Sequence, residues 1–181
     1  TIDSFSDTGL VKHCFSTRRG GVSGGVYESM NLRQHCDDSK ENIEKNFEIL
    51  CSAIGIDKED LVLSKQVHED KIMNVGRGDR GNGIWKENKF KSADGLITDE
   101  PGVALVTFYA DCVPLYFLDP KKKVIASVHS GWKGTVKRIG QKTVEKFAAD
   151  YKSNPEDIIA AIGPSIPVCH FEVGREVAEI F

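Results

Sequence analysis

Three residues that can bind a metal ion, or act as nucleophile and base, each follow a short apolar run of the sequence. Cys112 and His129 stand at the ends of two such runs, and His68 follows a third. Each run is typical of a buried strand, and α/β folds tend to place reactive side chains at strand ends. The pattern therefore predicts that the three side chains form a Cys/His2 metal site.

Three protein ligands that leave a fourth position open are the geometry of a catalytic zinc ion, which makes its bound water acidic. The spacings are 44 residues from His68 to Cys112 and 17 from Cys112 to His129, and they match no local zinc motif. The neighbouring residues favour the site, because Asp111 precedes the thiol and a Gly-Trp-Lys-Gly turn follows the second histidine. A Cys/His nucleophilic pair and purely structural roles are the alternatives that the residues leave open.

Two loops carry further candidates for ligand contacts. Residues 17–25 are rich in glycine and contain Arg18 and Arg19, so backbone N–H groups and an arginine could hold a phosphate or carboxylate there. A plain surface turn is the alternative, because the spacing matches neither the P-loop nor the dinucleotide fingerprint. Residues 76–91 form a second loop, in which Trp85 would stack on a ligand or pin the loop.

The elements that would position these residues are short strands and long helices. Strands are predicted at 10–16, 61–63, 71–75, 93–98, 103–108, 113–118, 124–128 and 158–162, and helices at 38–55, 134–151 and 173–181. The helix at 134–151 begins beside His129, so its N-terminus would favour an anion there. The mixture predicts an α/β (α+β) layered sandwich, in which helices flank a mixed sheet.

Composition limits the class of partner. The chain has 181 residues, 40% hydrophobic and 28% charged, with a formal net charge of −3, which fits one domain. Because there is no basic block, no nucleic-acid partner is expected. No apolar run approaches the roughly 20 residues that cross a bilayer, so no membrane partner is expected. Five cysteines without a close pair indicate a reducing, cytoplasmic setting. No particular oligomeric state is predicted.

Seven motifs resemble those of the YfiH/YlmD family, historically called multicopper polyphenol oxidases or laccase-domain proteins. In order they are 16–23 (STRRGGVS), 31–32 (NL), 65–68 (KQVH), 93–98 (ADGLIT), 110–114 (ADCVP), 129–135 (HSGWKGT) and 161–166 (AIGPSI). The resemblance covers nearly the whole chain, and the block from Asp111 to Gly134 is the most specific. It implies a single YfiH-like domain over residues 1–181 that lacks the C-terminal segment of family members.

The resemblance implies a zinc site made by His68, Cys112 and His129, the same residues that the strand ends single out. It also implies a purine nucleoside phosphorylase acting on adenosine, inosine, guanosine and methylthioadenosine, with adenosine deaminase activity. One departure is Phe171, where the family often has tyrosine, so a hydroxyl contact would be lost.

Roles for other polar residues follow from that chemistry. Asp111 or Asp94 would move protons, although Asp94 would equally serve to cap or hydrogen-bond a turn. Arg18 and Lys133 would hold phosphate, and Asn31 would contact the substrate or support the scaffold.

Two other classes of function stay open. A copper-dependent, laccase-like polyphenol oxidase would also use two histidines and a cysteine, but Met30 and Met73 lie in no recognisable copper motif and the chain has no His-x-His pair. Zinc is therefore favoured over copper. A cysteine hydrolase or a non-catalytic metal-binding module would use the same three residues differently.

Overall fold

The computed structural model describes residues 2–181, which form two β-sheets and five α-helices. The strands are β1 (Leu61–Leu63), β2 (Ile72–Asn74), β3 (Gly95–Thr98), β4 (Ala104–Val106), β5 (Val113–Asp119), β6 (Val124–Ser130) and β7 (Ile159–Ile162). The helices are α1 (Asp3–Ser6), α2 (Lys40–Ile54), α3 (Trp132–Val136), α4 (Ile139–Tyr151) and α5 (Arg175–Ala178). The prediction of a mixed α/β fold is confirmed.

The larger sheet is mixed and has five strands in the order β2-β3-β6-β5-β7. β2 and β3 are parallel, and the other neighbouring strands are antiparallel. β1 and β4 form a separate, parallel pair. The long antiparallel ladder of β5 and β6 therefore forms the centre of the fold.

The layers of the sandwich run in the order α4, larger sheet, β1/β4 pair, α2. Consecutive residues of a strand point to opposite faces, so Ile97 of β3 packs in the cluster under α4 while Leu96 packs with Val62 of β1. On the other face of β1, Leu63 packs with Phe47 of α2. β3 thus contributes to two separate interior layers.

α2 follows its sequence signals closely. The Ser39 hydroxyl accepts a hydrogen bond from the N–H of Asn42, and Gly55 ends the helix in a left-handed conformation (φ 65°). Ile43 and Phe47 lie on its buried face. The helix predicted at 38–55 is therefore confirmed, apart from its capping ends.

The predicted helix at 134–151 is instead two helices, α3 and α4. Arg138 lies between them with a left-handed backbone (φ 57°). Gly134 of α3 is pressed against the turn at residue 69, where a β-carbon would lie 3.0 Å from the Glu69 carbonyl oxygen. Ile139 of α4 is fully buried on the larger sheet. The chain changes direction to satisfy both contacts, and continuous apolar periodicity does not reveal that change.

Two other predicted elements differ from the structure, and the strand predicted at 158–162 is present as β7. Residues 10–16 form no strand, because they pair with neither sheet, and Leu10 and Phe15 are 45% and 41% exposed. The C-terminal helix predicted at 173–181 is limited to the four residues of α5. β7 lies at the edge of its sheet, so its side chains alternate between half-buried and exposed.

Trp85 pins the loop at 76–91. Its indole N–H donates to the carbonyl oxygen of Lys58 at 2.9 Å, and the Lys58 ammonium lies 5.1 Å from the ring centroid. Of the two roles considered for this residue, these contacts support the structural one.

The five cysteines are free thiols. Among the helices formed by residues 2–181, none combines the length and apolar character needed to cross a membrane.

Candidate metal centre

His68, Cys112 and His129 come together at one end of the larger sheet. The nitrogen and sulfur atoms that they offer lie within 4.8 Å of one another. The two imidazole rings are 4.9 Å apart between centroids and nearly perpendicular, at 86°. Within residues 2–181 this is the one group of three or more His, Cys, Asp or Glu side chains so placed.

The pairing of β5 with β6 places Cys112 beside His129. Pro114 lies opposite His129 in the antiparallel ladder, so the residue just before β5 lies next to the end of β6. Asp111 has a left-handed backbone (φ 79°), which turns the chain into β5. Burial, then the charges of Asp111 and Asp94, raises the pKa of the Cys112 thiol in the metal-free protein.

His68 is carried by a turn between β1 and β2 rather than by a strand. Its backbone is left-handed (φ 61°), a conformation that residues other than glycine seldom adopt. The N–H groups of Val67, His68 and Glu69 donate to the Asp94 carboxylate at 3.2, 2.9 and 3.0 Å. Successive N–H groups that converge in this way form an anion-binding nest, and Asp94 fills it.

Asp94 also contacts the second histidine. Its Oδ1 lies 2.9 Å from Nδ1 of His129, and both side chains are buried. An ionised carboxylate only accepts hydrogen bonds, so His129 carries its proton on Nδ1 and keeps Nε2 free for a metal ion. Burial works to raise the pKa of Asp94, but hydrogen bonds from His129, Glu69 and Val67 outweigh it and hold that pKa below its ordinary value.

Gly131 leaves room for an ion among the three ligands. A β-carbon at this position would lie 3.2 Å from Cδ2 of His68, 3.4 Å from Sγ of Cys112 and 3.5 Å from Cε1 of His129. The backbone angles, φ −66° and ψ 169°, are open to any residue, so it is the missing side chain that matters here. Two imidazoles and one thiol are ligands that zinc uses, so the donors and the space fit such an ion.

An open pocket of about 590 Å³ lies next to the cluster. It is lined by Phe15, Tyr109, Asp111, Pro164, Ser165, Ile166, Pro167 and His170. The Tyr109 ring centroid is 5.9 Å from that of His129, and Phe15 stacks on Tyr109 at 5.9 Å. The Tyr109 hydroxyl donates to the Val128 carbonyl oxygen at 3.2 Å. The pocket therefore offers flat aromatic walls beside the candidate metal ligands and Asp111.

Arg18 and Asn31, expected at the substrate, line a second cavity of about 810 Å³. Phe15 and Tyr109 line both cavities, so the two adjoin. The Asn31 side-chain amide donates to the Asp38 carboxylate at 2.8 Å, which supports the scaffold role that sequence analysis also considered. Arg18 is exposed to solvent.

Lys133, the other expected phosphate ligand, is exposed, and its ammonium lies 5.5 Å from the Trp132 ring centroid. α3, which carries it, has only five residues. A helix dipole is the sum of aligned peptide dipoles. The short α3 therefore stabilises an anion at its N-terminus much less than the predicted 18-residue helix would. Of the predicted site residues outside the metal cluster, Asp111 is the one that lines the adjacent pocket.

Two residues of this region had no role in the sequence analysis. Gly131 follows His129 by two residues within the HSGWKGT motif, so a glycine close to a candidate ligand was a usable signal. His170 lines the pocket, and its Nδ1 lies 3.0 Å from the Cys169 sulfur. Only the tertiary fold brings it near Asp111, so no local pattern could have found it.

The layered fold and the His-Cys-His cluster define a laccase-domain protein. Residues 12–181 match the family described as multi-copper polyphenol oxidoreductase laccase, and the chain belongs to this family. Among its members it resembles the YfiH/YlmD proteins. The crystal structure of the Bacillus licheniformis hypothetical protein YfiH matches with a TM-score of 0.85 and 36% identity, over 90% of this chain and 61% of that one.

Two relatives in this family carry functional names. The chain is 39% identical over 166 residues to purine nucleoside phosphorylase YlmD of Bacillus subtilis (strain 168), covering 91% of this chain and 60% of that protein. It is 36% identical over 180 residues to a purine nucleoside phosphorylase of Bacteroides thetaiotaomicron, covering 99% and 67%. The chain thus spans between three fifths and two thirds of the length of these relatives. The family resemblance seen in the sequence is confirmed.

Proposed function

We propose that this protein is a zinc-dependent purine nucleoside phosphorylase that also deaminates adenosine. The observation that carries the proposal is the cluster of His68, Cys112 and His129, whose ligand atoms lie within 4.8 Å of one another beside an aromatic pocket. The names of the two relatives support the phosphorylase activity. The proposed substrates are adenosine, inosine, guanosine and methylthioadenosine, together with phosphate.

The three clustered residues would hold the zinc ion in this proposal. A zinc ion held by two imidazoles and a thiolate supplies a water molecule that ionises near neutral pH. In deamination a water oxygen would bond to C6 of adenine, the C6–N bond would break, ammonia would leave with one water proton, and the other water proton would end on N1 of the product. Asp111, which lines the pocket, would take the proton from the water and deliver it to the departing nitrogen.

The pocket would bind the purine base against an aromatic wall. Phe15 and Tyr109 stack on each other with an interplanar angle of 24°, and such faces bind flat heterocycles. The hydrogen bond from Tyr109 to Val128 fixes this wall beside His129. The base would therefore lie next to the metal ligands.

Phosphorolysis needs phosphate below the ribose. A phosphate oxygen bonds to C1′, the C1′–N9 bond breaks, and the electron pair of that bond leaves with the purine, which takes a proton. Arg18 and Lys133 are the proposed phosphate ligands, because both are exposed cations with no carboxylate partner among residues 2–181. Asn31 is proposed to affect substrate binding indirectly, because its side chain supports the loop on which it lies.

A copper-dependent polyphenol oxidase is the second candidate, favoured by the family's description and by the His2Cys donors. Within the part of the chain described, these donors suffice for one ion, whereas a multicopper centre needs several ligand sets. Copper-loaded protein that turned intensely blue and oxidised a phenol would support this candidate over zinc.

A cysteine hydrolase would share the cluster but would not depend on metal, and a non-catalytic metal-binding module would bind metal without turning over a substrate. A cysteine nucleophile would stay active in metal-free protein and would be inactivated by alkylation. The proposal includes a cytoplasmic location, which the five free thiols favour.

The experiment uses the protein with its zinc quantified, incubated with adenosine with and without phosphate, and separates the products. Adenine that forms only with phosphate, together with inosine that forms without it, is the expected result. Failure to turn over adenosine, inosine or guanosine with zinc fully loaded would overturn the proposal.

A further inference from the structure

The carboxylate of Asp94 accepts four hydrogen bonds and is inaccessible to solvent. Oδ1 accepts from the His68 N–H at 2.9 Å and faces Nδ1 of His129 at 2.9 Å. Oδ2 accepts from the N–H groups of Val67 at 3.2 Å and Glu69 at 3.0 Å. A carboxylate has about four lone-pair positions, so all of them are in use.

The backbone of Asp94 is also fixed to the sheet. Its carbonyl oxygen accepts from the His129 N–H at 2.7 Å, and its N–H donates to the Lys71 carbonyl oxygen at 2.9 Å. Gly95, the next residue, pairs with Val128 in the β3/β6 ladder. The carboxylate therefore projects from a rigid position directly beside one histidine ligand.

The other histidine depends on that carboxylate. The His68 turn belongs to neither sheet, its backbone is left-handed, and Val67 is 41% exposed, so little apolar burial holds it. Exposed ion pairs join Glu69 to Lys137 and its neighbour Asp70 to Lys142, and such pairs contribute little. Side-chain hydrogen bonds to the Phe108 backbone hold the preceding Gln66, whereas the hydrogen bonds to Asp94 hold the amides of Val67, His68 and Glu69.

We propose that Asp94 is a positioning residue that assembles both histidine ligands before a metal ion binds. It fixes the Nδ1–H tautomer of His129, and it holds the strained turn that presents His68. Because every lone pair of its carboxylate is occupied, Asp94 has no free oxygen with which to carry a proton, and that role falls to Asp111. This inference rests on the proposed metal site but not on the nucleoside chemistry.

The first test uses wild-type protein stripped of metal, and it requires no variant. Imidazole ¹⁵N NMR is expected to show His129 as the Nδ1–H tautomer. Amide hydrogen exchange is expected to show protection at Val67, His68 and Glu69 that an exposed turn would lack. Rapid exchange at all three amides, or an Nε2–H tautomer, would overturn the proposal even if the protein were an active phosphorylase.

The second test replaces Asp94 by asparagine. Asparagine has the same shape, but its NH2 group must face either the amides of the turn or Nδ1 of His129, so a donor meets a donor. We expect zinc affinity, measured by competition with a chromogenic chelator, to fall by about 10- to 100-fold. We also expect the protection at Val67, His68 and Glu69 to be lost in the metal-free variant.

Asp119→Asn is the matched control. Asp119 is also inaccessible and accepts hydrogen bonds from two backbone N–H groups, those of Lys121 and Lys122. It ends β5, whereas Cys112 precedes that strand, so about 20 Å of extended chain separates them. Zinc affinity of Asp94→Asn equal to that of Asp119→Asn would contradict the positioning role. Failure of the wild type to bind zinc would instead count against the proposed function, while the NMR and exchange results would still decide the role of Asp94.

Discussion

Gly131 lies so close to Cys112 that a β-carbon on the glycine would be 3.4 Å from the cysteine sulfur. The same β-carbon would crowd the His68 ring, at 3.2 Å from its Cδ2, and would touch the His129 ring at 3.5 Å. Because the backbone at this position suits any residue, Gly131→Ala changes the space among the ligands without straining the chain.

We expect Gly131→Ala to weaken zinc binding by about 10-fold or more and to lower nucleoside turnover, with little change in the thermal unfolding midpoint of the metal-free protein. Gly78→Ala is the control, since a β-carbon there meets nothing within 4 Å and needs no positive φ. Equal zinc affinity in the two variants would show that the space at Gly131 does not serve an ion.

Replacing any one ligand should remove the metal. His68→Ala, Cys112→Ala and His129→Ala are each expected to lose bound zinc and nucleoside turnover while circular dichroism shows an intact fold. His68→Asn separates ligation from backbone strain, because asparagine tolerates the left-handed conformation better than alanine. His35→Asn is the control, at an exposed histidine with a similar φ of 56°. Turnover by any metal-free ligand variant would reject the zinc mechanism.

Metal should protect Cys112 from alkylation. A coordinated thiolate is not available to iodoacetamide, so we expect modification of Cys112 only after a chelator removes the ion. Cys169 is exposed and should be modified with or without metal, which makes it an internal control in the same peptide mass spectrum. Alkylation of Cys112 in zinc-loaded protein, at the rate of Cys169, would argue that the sulfur is not a ligand.

Arg18→Ala should affect phosphorolysis more than deamination. Losing a hydrogen bond to a charged group costs about 1.5–3 kcal/mol, so the KM for phosphate should rise by about 10-fold or more, while adenosine deamination without phosphate changes little. Arg175→Ala is the control, at a side chain that is 92% exposed and pairs with Glu179. An equal loss of both activities in Arg18→Ala would mean that Arg18 does not hold phosphate.

Asp38 should make stability depend on pH in the acid range. Hydrogen bonds from Ser23, then Asn31 and Asn42, lower the pKa of Asp38 to about 2. A carboxyl group whose pKa is lower in the folded state stabilises the fold above its unfolded-state pKa, and that contribution is lost as the pH falls through the folded-state pKa. The effect should therefore disappear between about pH 4 and pH 2.

Urea unfolding of metal-free protein at several pH values measures this loss. Asp38→Asn should be less stable than wild type at pH 5 and should show a smaller decrease between pH 4 and pH 2. Asp37→Asn, at an exposed neighbour, is the control and should follow the wild-type curve. If the stability of Asp38→Asn also followed the wild-type curve, the hydrogen bonds that join Asp38 to Asn31 and its neighbours would not depend on the charge of Asp38.

The predictable parts of this protein are those with local causes. Ser39 and Gly55 mark the ends of α2 because caps satisfy orphaned backbone groups at those positions. Short apolar runs find the central strands because the run of one strand is visible in the sequence without its neighbours. The three candidate ligands were found in the same way, as polar residues at the ends of such runs.

The parts that sequence reasoning missed depend on contacts between distant segments. Residues 10–16 have the composition of a strand, but whether they form one depends on a partner strand. The break at Arg138 arises because Gly134 and Ile139 pack on different parts of the fold. The set of hydrogen bonds to Asp94 joins a turn 25 to 27 residues away with a strand 35 residues away, which no local pattern encodes.

β3 is expected to couple the unfolding of the two interior layers. Leu96 and Ile97 belong to different interior layers, and the strand begins directly after Asp94. Neither layer can lose order without disturbing the strand that it shares with the other, and both histidines of the candidate metal site bond to Asp94 just before that strand. Calorimetry should therefore show a single transition, with equal calorimetric and van't Hoff enthalpies, in which release of the ion coincides with melting of both layers.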